Sequence, residues 1–147
     1  MGACAWRLAV SDIIRVLLVD DEDGFIAALS KRLDRRGMSV STASGGEEAM
    51  ALLETESYDV MVLDVKMPRM DGMQVLSMVK SRHPALEVIL LTGHADMNCA
   101  LEALSAGAFD FLIKPVGIEL LACRIMAAAK GKSLRGGCAV GDGGVDG

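Results

Sequence analysis

Carboxylate, hydroxyl and amine side chains come directly after four apolar stretches of this sequence. Asp20 and Asp21 follow the first of these stretches, and Asp64, Thr92 and Lys114 follow the other three. If the stretches are parallel strands of one sheet, these side chains meet at its carboxyl edge, where open α/β sheets bind their ligands. Taken singly, each residue has an ordinary explanation as a turn, cap or loop residue. It is their joint placement that indicates a site.

The residue types indicate phosphate chemistry assisted by a metal. Three carboxylates packed closely repel one another, which raises their pKa values unless a cation is present. Mg²⁺ removes this repulsion, and it typically binds one or two carboxylates together with water and phosphate oxygens. Lys114 can place a positive charge beside a phosphate oxygen, and the Thr92 hydroxyl can donate a hydrogen bond to it. The set is therefore suited to an anion that binds together with a metal.

The elements that must position these residues follow from the apolar periodicity. Val60 to Leu63 and Val88 to Leu91 are apolar throughout, as in strands buried on both faces of a parallel sheet, and a more polar second segment suits a sheet edge. Helical patterns separate the strands. We predict an α/β fold with a doubly wound five-stranded parallel sheet of order 2-1-3-4-5, flanked by five helices in a flavodoxin-like three-layer sandwich. The predicted strands are 13–19, 38–43, 60–63, 88–91 and 109–113.

Local signals mark where several helices begin and end. Gly37 and Gly107 are predicted to close the first and fourth helices, and Pro84 follows the third. Ser44 and Glu47 form a capping-box pattern, in which the serine caps the amide of the glutamate. The predicted apolar stripes are Phe25, Ala28, Leu29 and Leu33, then Ala49, Leu52 and Leu53, then Met97, Leu101 and Leu104, and last Ile118, Leu121, Ala122, Ile125 and Ala129.

Composition narrows the class of protein. The 147 residues suffice for one domain, and 52% are hydrophobic although only 3% are aromatic, so the core must be aliphatic. A net charge of −5 argues against direct nucleic-acid binding by this domain, which would need a basic face. No apolar stretch is long enough for a membrane span. The four cysteines lack metal-binding spacing; Cys99 and Cys123 are predicted to be small buried thiols, which suits the reducing cytoplasm.

The two ends of the chain carry no helix or strand pattern. Residues 1–12 are predicted to be a flexible leader, and 131–147 a glycine-rich disordered tail or linker remnant. The folded domain is predicted to be 13–130. So short a tail leaves two alternatives, a single-domain protein that acts by protein contact or one piece of a longer protein.

The segments around these residues resemble the response-regulator receiver domain of bacterial two-component signalling. The resemblance covers roughly 13–129, and its four segments are Leu-Leu-Val-Asp20-Asp21, Val-Leu-Asp64-Val-Lys-Met-Pro-Arg-Met-Asp-Gly72, Leu-Leu-Thr92-Gly-His and Gly-Ala-Phe-Asp-Phe111-Leu-Ile-Lys114-Pro115. The sequences of the last two segments also resemble those of receivers joined to ATPase transcription activators. The leader and the tail match nothing in the family pattern.

The resemblance implies a role for each residue of the set. Asp64 corresponds to the phospho-accepting aspartate, and Asp21 and Asp64 to direct Mg²⁺ ligands, with the Lys66 carbonyl as a third and Asp20 acting through water. Lys114 would hold the phosphoryl group, with a cis peptide bond to Pro115. Thr92 and Phe111 correspond to a pair of switch residues. Lys66 and His94 stand where the family tunes dephosphorylation, and neither suits the orientation of an attacking water, so we predict a phosphoryl lifetime of minutes or longer.

The function implied is signal transfer in the cytoplasm. A sensor histidine kinase or phosphotransfer protein would phosphorylate Asp64, and the face formed by the fourth helix, fifth strand and fifth helix would then bind a partner, possible occupants being a homodimer partner or an effector. The domain would catalyse only its own phosphorylation and dephosphorylation, so it is not expected to be an enzyme acting on other substrates.

Three other classes fit the sequence less well. Phosphatases similar to haloacid dehalogenases use a strand-end Asp but resemble a pattern with a second Asp two residues later, where this chain has Lys66. A flavodoxin-like cofactor carrier needs a phosphate-binding loop after the first strand, and the acidic run Asp20 to Asp23 would repel a phosphate. A phosphorylation-independent interaction domain would not need the complete set of site residues.

Overall fold

The fold is an alternation of five strands and five helices. The computed structural model describes residues 13–65, 71–93 and 97–133, with the backbone alone at 97–99 and 132–133. The elements are β1 (Arg15–Val19), α1 (Asp23–Arg35), β2 (Ser39–Ala43), α2 (Gly46–Thr55), β3 (Val60–Asp64), α3 (Gly72–Arg82), β4 (Glu87–Thr92), α4 (Met97–Ser105), β5 (Asp110–Ile113) and α5 (Ile118–Ser133).

The strands form one parallel sheet in the order β2-β1-β3-β4-β5. This confirms the predicted topology, including the edge position of the polar strand β2. β3 and β4 are buried along their whole length, as their apolar sequences predicted. The order in which successive strands join the sheet reverses between β1 and β3. The carboxyl ends of these two parallel strands therefore flank the crevice in which such sheets bind ligands.

The core consists of two apolar layers, one on each face of the sheet. Alternate strand residues, for example Leu17 and Leu63, pack with side chains of α2, α3 and α4. The residues between them, for example Leu18 and Val62, pack with α1 and α5. The molecule is therefore the predicted three-layer sandwich, because each strand contributes side chains to both faces.

Several local predictions are confirmed. Gly37 and Gly107 have φ angles of 89° and 108°, the left-handed region in which glycine avoids the clash of a Cβ atom. α3 ends at Arg82, before His83 and Pro84, as predicted. In α5, Leu121, Ala122 and Ile125 are buried in the layer beside the sheet.

Other local predictions are wrong. Ser44 does not cap α2; its backbone and hydroxyl donate instead to Glu48, one residue beyond Glu47, and Gly45 is the N-cap residue. Cys123 is exposed because it lies on the outer side of α5. Ala28 is exposed, and Ile26 is buried in its place. Leu101 and Leu104 are 58% and 46% exposed, because α4 turns the small Ala103 toward the sheet.

The ends of the folded part differ slightly from the predicted limits. α5 continues past residue 130 to Ser133. The leader 1–12, most of the predicted tail (134–147) and the segments 66–70 and 94–96 lie outside the described residues. In the part of the chain that is described, no helix combines the length and apolar character needed to cross a bilayer.

Candidate functional site

Two buried aspartates lie at the carboxyl ends of the central strands. Asp64 is the last residue of β3, and Asp20 directly follows β1, with exposed fractions of only 6% and 2%. The parallel register pairs Val19 with Leu63, so the residues that follow each of them are neighbours. Because side chains alternate along strands, both carboxylates lie on the α1 side of the sheet.

Backbone contacts hold these strand ends in place. The Asp20 amide donates to the Ala43 carbonyl at 3.1 Å, and the Gly72 amide donates to the Val65 carbonyl at 2.7 Å. A Cβ atom on Gly72 would lie 2.5 Å from the Asp64 carbonyl oxygen. Only glycine therefore lets the start of α3 come this close to the end of β3. Asp71 secures that start by a reciprocal capping box with Gln74.

Lys114 reaches across the sheet edge from the end of β5 to these carboxylates. Its Nζ atom lies 3.0 Å from Asp20 Oδ2, 3.1 Å from Glu22 Oε1 and 3.7 Å from Asp64 Oδ1. It also lies 4.6 Å from the centroid of the Phe25 ring, within the range of a cation–π contact. The peptide bond between Lys114 and Pro115 is cis, as the resemblance implied.

The charges around Lys114 change the proton affinity of its amine. Burial lowers the pKa of the amine, but hydrogen bonds to Asp20 and Glu22 and the nearby charges of Asp20 and Asp64 outweigh burial. The net effect raises the pKa above its ordinary value of 10.5. The amine is therefore a fixed positive charge at neutral pH.

Asp20, Asp21 and Asp64 form an acidic cluster that fits a small divalent cation. Each can place one carboxylate oxygen so that the three oxygens lie within 4.8 Å of one another. Oxygen ligands at this separation suit a hard cation such as Mg²⁺. Asp21 is exposed whereas the other two are buried, so the cluster opens toward solvent on one side. That opening leaves room for water and phosphate oxygens to complete a coordination shell.

Thr92 and Phe111 lie on the opposite face of the sheet from the acidic side chains. Leu90 pairs with Phe111, and Thr92 pairs with Ile113. The alternation of side chains therefore places Thr92 and Phe111 on the same face, as diagonal neighbours on β4 and β5. Thr92 is 2% exposed, and Phe111 is partly buried against the α2–α3–α4 layer. A movement of one side chain is thus able to alter the space available to the other.

Two residues that were predicted to belong to the site are not described by the structure, and one residue of the site was not predicted. Lys66 and His94 lie outside the described residues, so their tuning of dephosphorylation stays a prediction. Glu22, which contacts Lys114, was not singled out from the sequence. The sequence feature that could have pointed to Glu22 is the acidic run Asp20 to Asp23. A run of four carboxylates does not reveal which of them contacts the site.

The sequence that contains these site residues matches a known family along most of the chain. The sequence pattern of the response regulator receiver domain matches residues 16–126. This chain belongs to the response regulator receiver domain family. It is thus a phosphoacceptor domain of two-component signalling.

Relatives of this receiver domain include a transcriptional regulator and a regulatory protein. It is 40% identical to the DNA-binding transcriptional regulator NtrC of Klebsiella pneumoniae over 102 residues, which are 69% of this chain and 22% of that protein. It is 36% identical to the regulatory protein AtoC of Escherichia coli (strain K12) over 123 residues, 84% of this chain and 27% of that protein. The chain therefore spans about a quarter of the length of these relatives.

Solved structures share the fold of this receiver domain. A CheY-like response regulator receiver domain protein from Methanospirillum hungatei JF-1 has a TM-score of 0.80 at 27% identity, covering 84% of this chain and 98% of that one. A response regulator receiver domain protein from Clostridium thermocellum has a TM-score of 0.79 at 36% identity, covering 84% and 99%.

Proposed function

We propose that Asp64 is the phosphoacceptor of this receiver domain and that a phosphohistidine of a sensor histidine kinase or phosphotransfer protein is the donor. The observation that carries the proposal is the position of the Asp64 carboxylate within the acidic cluster, with the Lys114 amine 3.7 Å away. An acidic pocket with a partly buried amine beside it is suited to an anion that binds with a cation.

The proposed reaction is an in-line phosphoryl transfer. An Asp64 carboxylate oxygen forms a bond to phosphorus while the P–N bond of the donor breaks, and the electron pair leaves with the imidazole. Asp20, Asp21, Asp64 and the Lys66 carbonyl would hold Mg²⁺, which when bound neutralises charge on the phosphoryl oxygens. Lys114 stabilises the same oxygens from the other side. Hydrolysis by water later releases phosphate and restores Asp64, so the domain turns over only its own phosphoryl group.

The proposed readout passes through Thr92 and Phe111. The Thr92 hydroxyl would donate a hydrogen bond to the phosphoryl group, and Phe111 would move into the space that Thr92 leaves. These residues border the surface formed by α4, β5 and α5, which we name the switch face. Among the described residues, five of the six exposed large apolar side chains lie on these elements: Leu101, Leu104, Ile113, Leu120 and Met126. A homodimer partner or an effector helix is the proposed occupant.

The role of the whole protein is proposed from its relatives. Two of them are named as transcriptional or regulatory proteins, which supports a part in transcription regulation through a further domain. The net charge of −5 supports indirect rather than direct contact of this domain with nucleic acid. The cytoplasm is the proposed compartment, because the proposed phosphohistidine donors act there.

Phosphorylation by a small donor tests the assignment of Asp64. With acetyl phosphate and Mg²⁺, intact mass should show the addition of one phosphate, lost in chelator and in Asp64→Asn. Asp34→Asn, an exposed aspartate on α1, is the matched control and should be labelled like the wild type. Full labelling of Asp64→Asn would exclude Asp64 as the acceptor.

A further inference from the structure

The Lys114 amine lies closer to the β1–α1 loop than to the proposed phosphoacceptor. Its contacts with Asp20 and Glu22, at 3.0 and 3.1 Å, are both shorter than the 3.7 Å separation from Asp64. All three partners carry negative charge, so the position of the amine is a balance among them. A phosphoryl group on Asp64 would need the amine to move away from the loop.

Asp20 and Glu22 differ in how they can release the amine. The side chain of Asp20 is 3% exposed, and that of Glu22 is 62% exposed. Asp20 also belongs to the acidic cluster, so a bound cation would draw its charge away from Lys114. Glu22 is outside that cluster, and its carboxylate would remain as the competitor for the amine.

The structure of the β1–α1 loop allows the Glu22 side chain to contact Lys114. Glu22 is the N-cap residue of α1, yet its side chain makes no capping hydrogen bond. Its backbone amide donates to Asp20 Oδ1 at 2.9 Å, which fixes the turn of the loop. The side chain contacts Lys114 instead of the first amides of the helix, where an N-cap side chain usually binds.

We infer that Glu22 is a positioning residue for Lys114, which holds the amine on the β1 side of the site and restrains its approach to a phosphoryl group on Asp64. This inference rests on the proposed role of Asp64. Neutralising Glu22 should free the amine and should also reduce repulsion of an anionic donor. Because a partly exposed ion pair is weak, we expect Glu22→Gln to accelerate phosphorylation by about two- to fivefold.

The test compares two variants that remove the same charge. Glu22→Gln removes the carboxylate that contacts Lys114, and Asp23→Asn removes the exposed carboxylate of the next residue. Phosphorylation rates are measured with acetyl phosphate at saturating Mg²⁺, so that a change in metal affinity does not affect them. In metal-free protein, the side-chain NMR signal of Lys114, assigned by its loss in Lys114→Gln, reports the resting contact directly.

The expected result is a faster reaction and a shifted Lys114 signal in Glu22→Gln, with neither change in Asp23→Asn. Equal acceleration in both variants would show a general charge effect and overturn the inference. So would a normal rate in Glu22→Gln, or an unshifted Lys114 signal, while the wild type is labelled normally. A wild-type protein that accepts no phosphate would overturn the proposed function itself, and the inference with it.

Discussion

At the scale of single residues, Gly72 decides how closely α3 approaches β3, the strand that ends in the proposed phosphoacceptor Asp64. A Cβ atom there would lie 2.5 Å from the Asp64 carbonyl oxygen and 2.7 Å from the Val65 Cα atom. Both are backbone atoms, so neither can rotate away as a side chain would. The glycine is thus required by the site itself, since the same backbone segment holds the Asp64 carboxylate.

We therefore expect Gly72→Ala to destabilise the fold by about 1–3 kcal/mol, the usual range for overpacking. The control is Gly24→Ala in α1, where a Cβ atom meets nothing within 4 Å. That variant should be neutral or slightly stabilising, because alanine is the better helix former. Urea unfolding of both variants gives the comparison. Equal stability of Gly72→Ala and the wild type would contradict the close approach.

The raised pKa of the Lys114 amine predicts a dependence of stability on pH. A group whose pKa is raised by folding stabilises the native state while it is protonated in both states, and this contribution is lost as pH rises through the folded pKa. Here the loss should begin above 10.5, the ordinary pKa of the amine. In metal-free protein, the wild type should lose stability relative to Lys114→Gln above that pH. A stability difference that stays constant through this range would refute the prediction.

At the scale of elements, a short ion pair connects α5 to β5. Arg124 Nε donates to Asp110 Oδ2 at 2.6 Å, and the guanidinium lies 5.4 Å from the centroid of the Phe109 ring. The other carboxylate oxygen of Asp110 accepts from the Phe111 amide at 2.8 Å. The pair thus links α5 to the backbone of the proposed switch residue.

We expect Arg124→Ala to cost about 1 kcal/mol, because the charge-assisted bond is short but partly exposed. Hydrogen exchange should increase in α5 and β5 and remain unchanged in α1. Arg36→Ala provides the control, since Arg36 reaches Glu119 of α5 only at 3.8 Å and both side chains are exposed. Equal effects of the two variants would show that the Asp110 contact has no special role.

At the scale of the whole molecule, the acidic site and the switch face lie on different surfaces joined by β4 and β5. Asp20 and Asp64 face α1, whereas Thr92 and Phe111 face the α2–α3–α4 layer. In the proposed mechanism, phosphorylation would therefore act through the ends of these strands to reach a partner. The proposed two-state shift of Thr92 and Phe111 would supply such a route.

We expect an acyl-phosphate mimic to change hydrogen exchange in α4, β5 and α5. The physical reason is that Thr92 and Phe111 pack at the border of these elements. Sedimentation of the same sample would separate a homodimer from a monomer that awaits an effector. Changes confined to α1 and α2 would show that the signal leaves by another route.

Most of the fold followed from local patterns in the sequence. Val60 to Leu63 and Val88 to Leu91 had to be buried on both faces because they lack polar residues, and the structure places them at the centre of the sheet. Parallel strands also end at a common edge, so the gathering of Asp20, Asp64 and Lys114 needed only strand order and polarity. Predictions that depended on the position of a side chain within a single helical turn were wrong in several cases, such as the Ser44 cap and the burial of Cys123.

The contacts within the site were decided by the tertiary structure. The sequence placed Glu22 in an acidic run, but only the path of the β1–α1 loop brings its carboxylate to Lys114, 92 residues away. The glycine at 72 was visible as a loop signal, whereas its contact with the Asp64 backbone required the position of α3. Strand order follows from periodic patterns that many residues share. A single side-chain contact instead depends on loop path and rotamer, which are determined only when all the layers pack together.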